Sequence, residues 1–493
     1  MPTHSSADGI AVSAASPAPT VALRPYQAEA IEAVRGAFRN GARTPLLVMP
    51  TGAGKTVVFS SIAASAVAKG RRVLVLAHRR ELVKQASAKL TAAGVAHGII
   101  APGFEPTGHP VQVASVQTLA RRLDRPEHAR FDLIIIDEAH HAVAGQWATI
   151  VAAYPDARIL GVTATPERLD GKGLGVEAGG PFDAMAEGPS VAELVAGGFL
   201  VPARIFAPSG APDLSRVVTR AGDYDVSALT QVMSDRALVG DAVAHYSRLT
   251  PGLPAVAFCV SVRHAEDVAA AFREGGWRAR AVSGDMPTAD RDAALAGLAT
   301  GKVQVLCTCD LISEGLDVPA IGAAILLRPT KSLGLHVQQI GRGMRPAPGK
   351  DALVILDHAG NTLRHGLPTD TRRWRLNGRE RHGAPSLAPV RECPQCAAVH
   401  AISDRKCPEC GHEYWSEARE IEIREGQLQE IKAAEAEALR VQRLRTTSLQ
   451  RLLQDATTEA DLREIAAARG YKSGWVHHRL RDRSLNALTR LAG

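Results

Sequence analysis

Leu46-Leu47-Val48, leading to Thr51-Gly52-Ala53-Gly54-Lys55-Thr56, and Leu133-Ile134-Ile135-Ile136, leading to Asp137-Glu138-Ala139-His140, decide how this chain folds. Each is a short apolar run that ends in a polar turn. Apolar runs of this length without alternation read as strands buried on both faces, as in parallel sheets. In an open parallel sheet, ligands bind outside the carboxyl ends of the strands, which is where both turns fall. The two turns therefore belong to one site on an α/β scaffold.

The first turn has what a phosphate cradle needs. Around Ala53, Gly52 and Gly54 let backbone N–H groups approach oxygens closely. Lys55 is suited to the β and γ phosphates and Thr56 to magnesium. The helix that follows adds its positive end. The strict pattern asks for glycine where this chain has Met49, but the strand before and the helix after favour a cradle over a chance Gly-Lys-Thr turn. In the second turn, Asp137 is expected to hold Mg2+, through water, and Glu138 to polarise the attacking water. His140 links the turn to its surroundings, and His141 reads as an ordinary surface residue. Together these are the working parts of a nucleoside-triphosphate hydrolase. Far downstream, Gln338-Gln339-Ile340-Gly341-Arg342-Gly343-Met344-Arg345 offers Arg342 and Arg345 as arginine fingers, residues worth roughly 10³–10⁵ in rate. A basic surface turn is the bland alternative.

At 493 residues the chain is too long for one core. Its formal charge of +7 suits a locally basic groove better than a uniformly basic coat. No apolar stretch approaches the roughly 20 residues that cross a bilayer, so no membrane partner is expected and the location is read as cytoplasmic. Residues 1–20, rich in Ala, Ser, Thr and Pro, are expected to be a disordered tail. Strand and helix patterns alternate over 21–186 and again over 236–366, which predicts two α/β domains with parallel sheets, joined by a connector at 187–235. The stretch 367–391, rich in Arg and Pro, reads as a basic linker. Within it and just before it, Arg364, Arg372, Arg373, Trp374, Arg375, Arg379 and Arg381 either track phosphates and stack a base or are simply solvated.

Residues 392–415 hold Cys393-Pro394-Gln395-Cys396 and Cys407-Pro408-Glu409-Cys410, two Cys-x-x-Cys knuckles. Four thiolates from two tight turns suit tetrahedral Zn2+, with a rubredoxin-like iron site as the lesser option. Metal binding would supply folding energy that so short a segment lacks. The region 416–493 is read as a helical tail, with Thr458-x-x-Asp461 as a capping box and Gly470 as the stop. Its Trp475-His477-His478-Arg479-Arg481 stretch is either a small surface patch or a contact for DNA or an acidic partner.

Taken in order, these segments resemble a superfamily 2 helicase of the DEAH type. Leu23-Arg24-Pro25-Tyr26-Gln27 resembles the adenine-reading entry motif, with Gln27 the implied reader. Thr163-Ala164-Thr165-Pro166 resembles the coupling motif. Segments 76–82 and 115–119 resemble those that touch the backbone of a bound strand. Cys307-Thr308-Cys309-Asp310 with Glu314-Gly315-Leu316-Asp317 resembles the fifth motif, implying that Gly315 and Asp317 contact nucleotide. Residues 338–345 resemble the sixth, implying catalytic roles for Gln338, Arg342 and Arg345. The resemblance implies two tandem RecA-like P-loop domains followed by a zinc ribbon. Arg328-Pro329-Thr330-Lys331-Ser332, the four cysteines and the ending Gly470-Tyr471-Lys472-Ser473-Gly474-Trp475 narrow it to the RadD-like group. That group implies a nucleoid-associated, DNA-dependent ATPase in DNA repair or replication, acting beside single-strand-binding protein. An ATP switch that never unwinds, a restriction-system translocase and an RNA helicase remain as rivals.

Overall fold

The first sheet is built from β1 (Pro45–Val48), β2 (Val73–Ala77), β3 (His97–Ile100), β4 (Val111–Ser115), β5 (Leu133–Asp137), β6 (Arg158–Thr163) and β7 (Ala184–Glu187). All pairings are parallel, in the order β3-β4-β2-β5-β6-β1-β7. Every residue of β1, β2, β4 and β5 is buried, as continuous apolar runs in a two-sided sheet require. Helices α1 (Pro25–Arg39), α2 (Lys55–Val67), α3 (Arg80–Ala92), α4 (Val116–Leu119) and α5 (Gln146–Ala153) lie between or before the strands in sequence. The computed structural model describes residues 22–78, 80–125, 128, 130–142, 145–168, 171–207, 212–220, 222–309, 320–378, 389–414, 440–456, 458–472 and 474–481. The expected tail at 1–20 lies outside them.

The second sheet has the order β12-β13-β11-β14-β15-β8, again all parallel. After α6 (Val191–Ala196) come β8 (Ala203–Phe206) and a small antiparallel ribbon, β9 (Thr219–Arg220) and β10 (Asp223–Tyr224). Then follow α7 (Val226–Met233), α8 (Arg236–Leu249), β11 (Ala255–Phe258), α9 (Val262–Glu274), β12 (Ala279–Val282), α10 (Thr288–Ala299), β13 (Val305–Thr308) and β14 (Ala323–Leu326). The domain ends with α11 (Leu333–Gly343), β15 (Leu353–Asp357) and α12 (Asn361–His365). β8 falls inside the stretch expected to be a connector. It is a short edge strand, so it carries little of the apolar signal that marks the central strands. One apolar cluster runs from the first sheet through Leu200 and Val201 to Ile340, Met344 and the second sheet.

Residues 367–378, expected to be part of a basic linker, form an ordered strap back to the first domain. Gly175 donates its N–H to the Leu376 carbonyl at 2.7 Å, and Lys172 bridges Gly378. Trp374 and Leu376 pack against the first domain's apolar cluster, so Trp374 is a packing residue here. Arg372 donates to the carbonyls of His365 and Leu367, and Arg364 to that of Thr330. These two arginines serve the fold. Arg379 and Arg381 lie outside the described residues.

The cysteine segment is an antiparallel pair, β16 (Val390–Glu392) and β17 (Val399–Ala401). It covers the edge of β8: Phe206 bridges Ala398, and Ala207 donates its N–H to the Ala397 carbonyl at 2.9 Å. Cys393, Ala398 and Cys407 sit in the second domain's own apolar cluster.

Residues 415–493 form a separate unit. The expected helix over 417–453 lies outside the described residues up to 439. Beyond that, α13 (Leu449–Asp455) and α14 (Glu459–Arg469) enclose a small core of Leu452, Leu462, Ile465 and Val476, with Trp475 packed on it. Thr458 Oγ1 accepts the Asp461 N–H at 3.2 Å, the Thr458 N–H donates to Asp461 Oδ2 at 2.7 Å, and Gly470 closes α14 at φ 70°. Among the described residues, no helix is long and apolar enough to cross a membrane.

Candidate nucleotide site at the seam of two domains

The loop after β1 owes its shape to two glycines in the left-handed region. Gly52 (φ 90°) and Gly54 (φ 82°) turn the chain, and Gly54 caps α2, so the first N–H groups of that helix face the loop. A Cβ at Gly54 would stand 2.5 Å from Gln27 Nε2, and one at Gly52 would stand 3.2 Å from the Gly341 carbonyl oxygen. Only glycine fits either place. Met49, where the pattern asks for glycine, is fully buried in the core, in front of Gly188, whose missing Cβ leaves it room. Its backbone stays in register with the sheet, donating to the Thr163 carbonyl at 3.0 Å, and its own carbonyl faces Lys55 Nζ at 3.5 Å. The position needs no positive φ, and its side chain points into the core.

From α1, Tyr26 Oη and Gln27 Nε2 donate to the Ala53 carbonyl at 3.0 and 3.2 Å, while Gln27 Oε1 accepts the Arg24 N–H. In this state Gln27, the implied adenine reader, holds the loop. Tyr26 and Phe199 meet edge to face at 4.9 Å, with the Arg24 guanidinium over the Phe199 ring at 5.0 Å. Phe199 was invisible to sequence reasoning because it belongs to no motif.

Lys55, Asp137 and Glu138 are all buried. Burial pushes the Lys55 ammonium below the ordinary lysine range; Glu138 and Asp137 oppose this, and Arg342 and Arg345 add to it. For Asp137, burial and then the Glu138 charge hold the carboxyl above the usual range, against the pull of Lys55, the Glu138 N–H and Arg342. That N–H donates to Asp137 Oδ1 at 3.0 Å. Glu138 itself sits at φ 48°, a strained place for a residue with a Cβ, of the kind that clusters at functional sites. His140 Nδ1 lies 3.2 Å from Thr163 Oγ1 and 3.5 Å from Glu138 Oε2, joining the second turn to the Thr163–Pro166 segment.

From the second domain, α11 carries Gln338, Gln339 and Arg342 on a buried face. Ser332 Oγ accepts the Leu335 N–H to cap it, and the Met344 carbonyl accepts the Val201 N–H at 2.8 Å. Lys350, another residue without a motif, donates to the carbonyls of Gly343 and Arg345 at the helix's end. A Cβ at Gly341 would stand 2.6 Å from Thr51 Cβ, so the helix touches the phosphate loop. The structure thus brings Lys55, Asp137, Glu138, Arg342 and Arg345 together across two domains. Gly315 and Asp317 lie outside the described residues. Three cations facing two carboxylates leave one net positive charge, and with the glycine cradle this fits a magnesium-bound triphosphate.

A second cluster lies in the cysteine segment. The Sγ atoms pair at 3.6 Å (Cys393 and Cys410) and 3.7 Å (Cys396 and Cys407), and all four lie within 4.8 Å of one another. Four thiolates at about 2.3 Å from a tetrahedral centre would stand about 3.8 Å apart, so the set can hold zinc. The two knuckles share a shape: Ala397 and Gly411, each four residues after a cysteine, take φ 60° and 74° and donate back to that cysteine's carbonyl.

Residues 20–168 match the family model of the type III restriction enzyme res subunit, and residues 241–347 match that of the helicase conserved C-terminal domain. A 51.5 kDa protein of a Lactococcus phage (isolate 7-9) is 34% identical over 77% of this chain and 80% of its own length. The putative ATP-dependent helicase IRC3 of Saccharomyces cerevisiae is 31% identical over 69% of this chain, which spans only 51% of that protein. A fragment of a putative HsdR subunit of a type I restriction enzyme from Vibrio vulnificus shares the fold, with a TM-score of 0.56 and 24% identity over 71% of this chain and 67% of the fragment. With two domains on parallel sheets, a nucleotide site at their seam and these matches, the chain belongs to the superfamily 2 helicases.

Proposed function

We propose that this ATP-hydrolysing, nucleic-acid-binding enzyme is a motor on DNA, closing its two domains on magnesium-ATP and coupling hydrolysis to movement along, or remodelling of, a strand. The observation that carries this is the seam, where Arg342 and Arg345 act on Lys55 and Gly341 abuts Thr51. In this reading Gly52, Ala53, Gly54 and the first turn of α2 receive phosphate oxygens, and Lys55 meets the β and γ phosphates. Thr56 and Asp137 hold magnesium, whose charge offsets that of the phosphates. Glu138 orients the attacking water and accepts its proton. Arg342 and Arg345 meet the charge that develops on the transferring phosphate, with Gln338 one turn before Arg342 on α11. Gln27 has one N–H and one lone pair left for a base edge while it holds Ala53 and Arg24. Gly315 and Asp317 complete the nucleotide contacts.

The four cysteines are assigned to zinc. Together with the segment 328–332 and the ending at 470–475, they support placement in the RadD-like group, a nucleoid role in DNA repair or replication, and single-strand-binding protein as a partner. The match to a restriction res subunit supports a second reading, a translocating subunit that works with a nuclease partner.

ATP turnover measured with single-stranded DNA, forked DNA and RNA tests the assignment. Lys55→Ala and Glu138→Gln are expected to lose at least about 100-fold in turnover, the scale of a missing acid–base or electrostatic group. Near-parental turnover in either purified variant contradicts the site. Stimulation by RNA alone moves the substrate to RNA. Stimulation by DNA with no strand displacement and no translocation favours a switch over a motor.

A further inference from the structure

The two segments that resemble strand-gripping motifs meet at one backbone carbonyl. His78, the residue after β2, accepts at its carbonyl oxygen the Gln117 Nε2 donor at 2.9 Å, and Gln117 Oε1 accepts the Ser115 hydroxyl at 2.9 Å. The His78 ring lies against the His141 ring, centroids 4.4 Å apart and planes 52° apart. His141 in turn lies against His140, at 4.1 Å and 43°. His140 then reaches Thr163 Oγ1 at 3.2 Å and Glu138 Oε2 at 3.5 Å. Three imidazoles therefore form an unbroken packed path from the expected strand-facing edge to the hydrolytic carboxylate.

We infer that His141 is a positioning residue that couples strand occupancy beside His78 and Gln117 to the placement of Glu138. The inference rests on the role proposed above for Glu138. His141 belongs to a single 3₁₀ turn, Ala139–His141, whose cap is Glu138 itself, and its own N–H donates to the Glu138 carbonyl at 3.1 Å. The three rings are part-buried, but each lies directly against the next, so a displacement of one moves its neighbour. A phosphate that moves the His78 backbone pushes on the His141 ring, and the short turn carries that push to Glu138. Glu138 is held in the left-handed region, so a small change in its turn re-aims the carboxylate.

The test uses the full chain and whichever of single-stranded DNA or RNA stimulates it. Turnover is measured without nucleic acid and at saturation, and affinity is measured by fluorescence anisotropy of a labelled oligonucleotide. His141→Ala should leave unstimulated turnover and affinity within about twofold while reducing stimulation about tenfold, the scale of coupling lost along a packed path. Parental stimulation in His141→Ala, or affinity that falls in step with stimulation, overturns the inference. Glu138→Gln is measured alongside: if it alone is dead while His141→Ala is normal, the site stands and the coupling fails. If Glu138→Gln still turns over ATP, the site assignment itself fails.

Discussion

Met49 occupies the place where the phosphate-loop pattern asks for glycine, and its burial accounts for the exception. The loop uses the residue's carbonyl, which any amino acid supplies, while the core uses its side chain. Met49→Ala should therefore cost about 2–5 kcal/mol through the cavity it leaves, with turnover of the folded fraction near parental. Thermal unfolding paired with ATP turnover reads both, and a variant that gains activity without losing stability contradicts this account. Buried histidines set a second residue-scale expectation. Burial, slightly opposed by Asp267, holds His264 down to about 4; its Nδ1 accepts the Val260 N–H, which fixes it neutral. Burial and then the neighbouring His245 hold His358 down to about 3. In the unfolded chain both would titrate near 6.5. Their stabilising effect is thus complete above that value and lost as pH falls towards their folded values. Each should withdraw about 2 kcal/mol by pH 5. Denaturant midpoints should drop between pH 6.5 and 4, and a flat profile over that range would remove these histidines from the argument.

The cysteine segment and β8 depend on each other. β8 is an edge strand, and an exposed edge invites pairing with other chains. The knuckles cover it through Phe206, Ala207 and the Arg204–Glu409 ion pair, and they share the second domain's core. With zinc at the four cysteines, as proposed above, a chelator or Cys396→Ser should uncover β8. Amide exchange at residues 203–207 should rise and light scattering should follow; unchanged protection there would show that the ribbon holds without metal. This contact was hidden in the sequence, where Ala203–Phe206 is only four residues long and interrupted by Arg204. β3, with His97 and Gly98, and β7, with its single buried Ala186, escaped notice for the same reason. The apolar runs Leu46–Val48 and Leu133–Ile136 marked β1 and β5 within a residue, because burial on both faces leaves no room for polar residues. The strap at 367–378 misled in the other direction. Its arginines suggested a basic linker, either tracking phosphates or solvated, yet alternate residues (Arg372, Trp374, Leu376) turn inward, and the acceptors for Arg372 are backbone carbonyls that no sequence pattern displays.

Across the whole molecule, the parts of the nucleotide site were legible as motifs, but the contact that assembles them was not. Thr51 and Gly341 lie far apart in sequence, and only the fold shows that one touches the other. That contact sets how near the second domain's arginines come to Lys55. The loop is pinned by Tyr26 and Gln27 at Ala53, and α11 is pinned by Val201 at Met344 and by Lys350 at its end. With both sides fixed, a side chain at 341 has to widen the seam. In an exposed helix, glycine to alanine would stabilise by about 0.5–1 kcal/mol. Here Gly341→Ala should lower kcat instead, by about 100-fold if the arginines retreat by about 1 Å, while the melting temperature changes little. Arg342→Ala added to Gly341→Ala should then cost much less than it does alone, because residues that act through one contact are not additive. Steady-state turnover of the two single variants and the double variant decides it. A Gly341→Ala enzyme with parental kcat, or a double variant whose losses simply multiply, would mean that the seam does not set the distance on which hydrolysis depends.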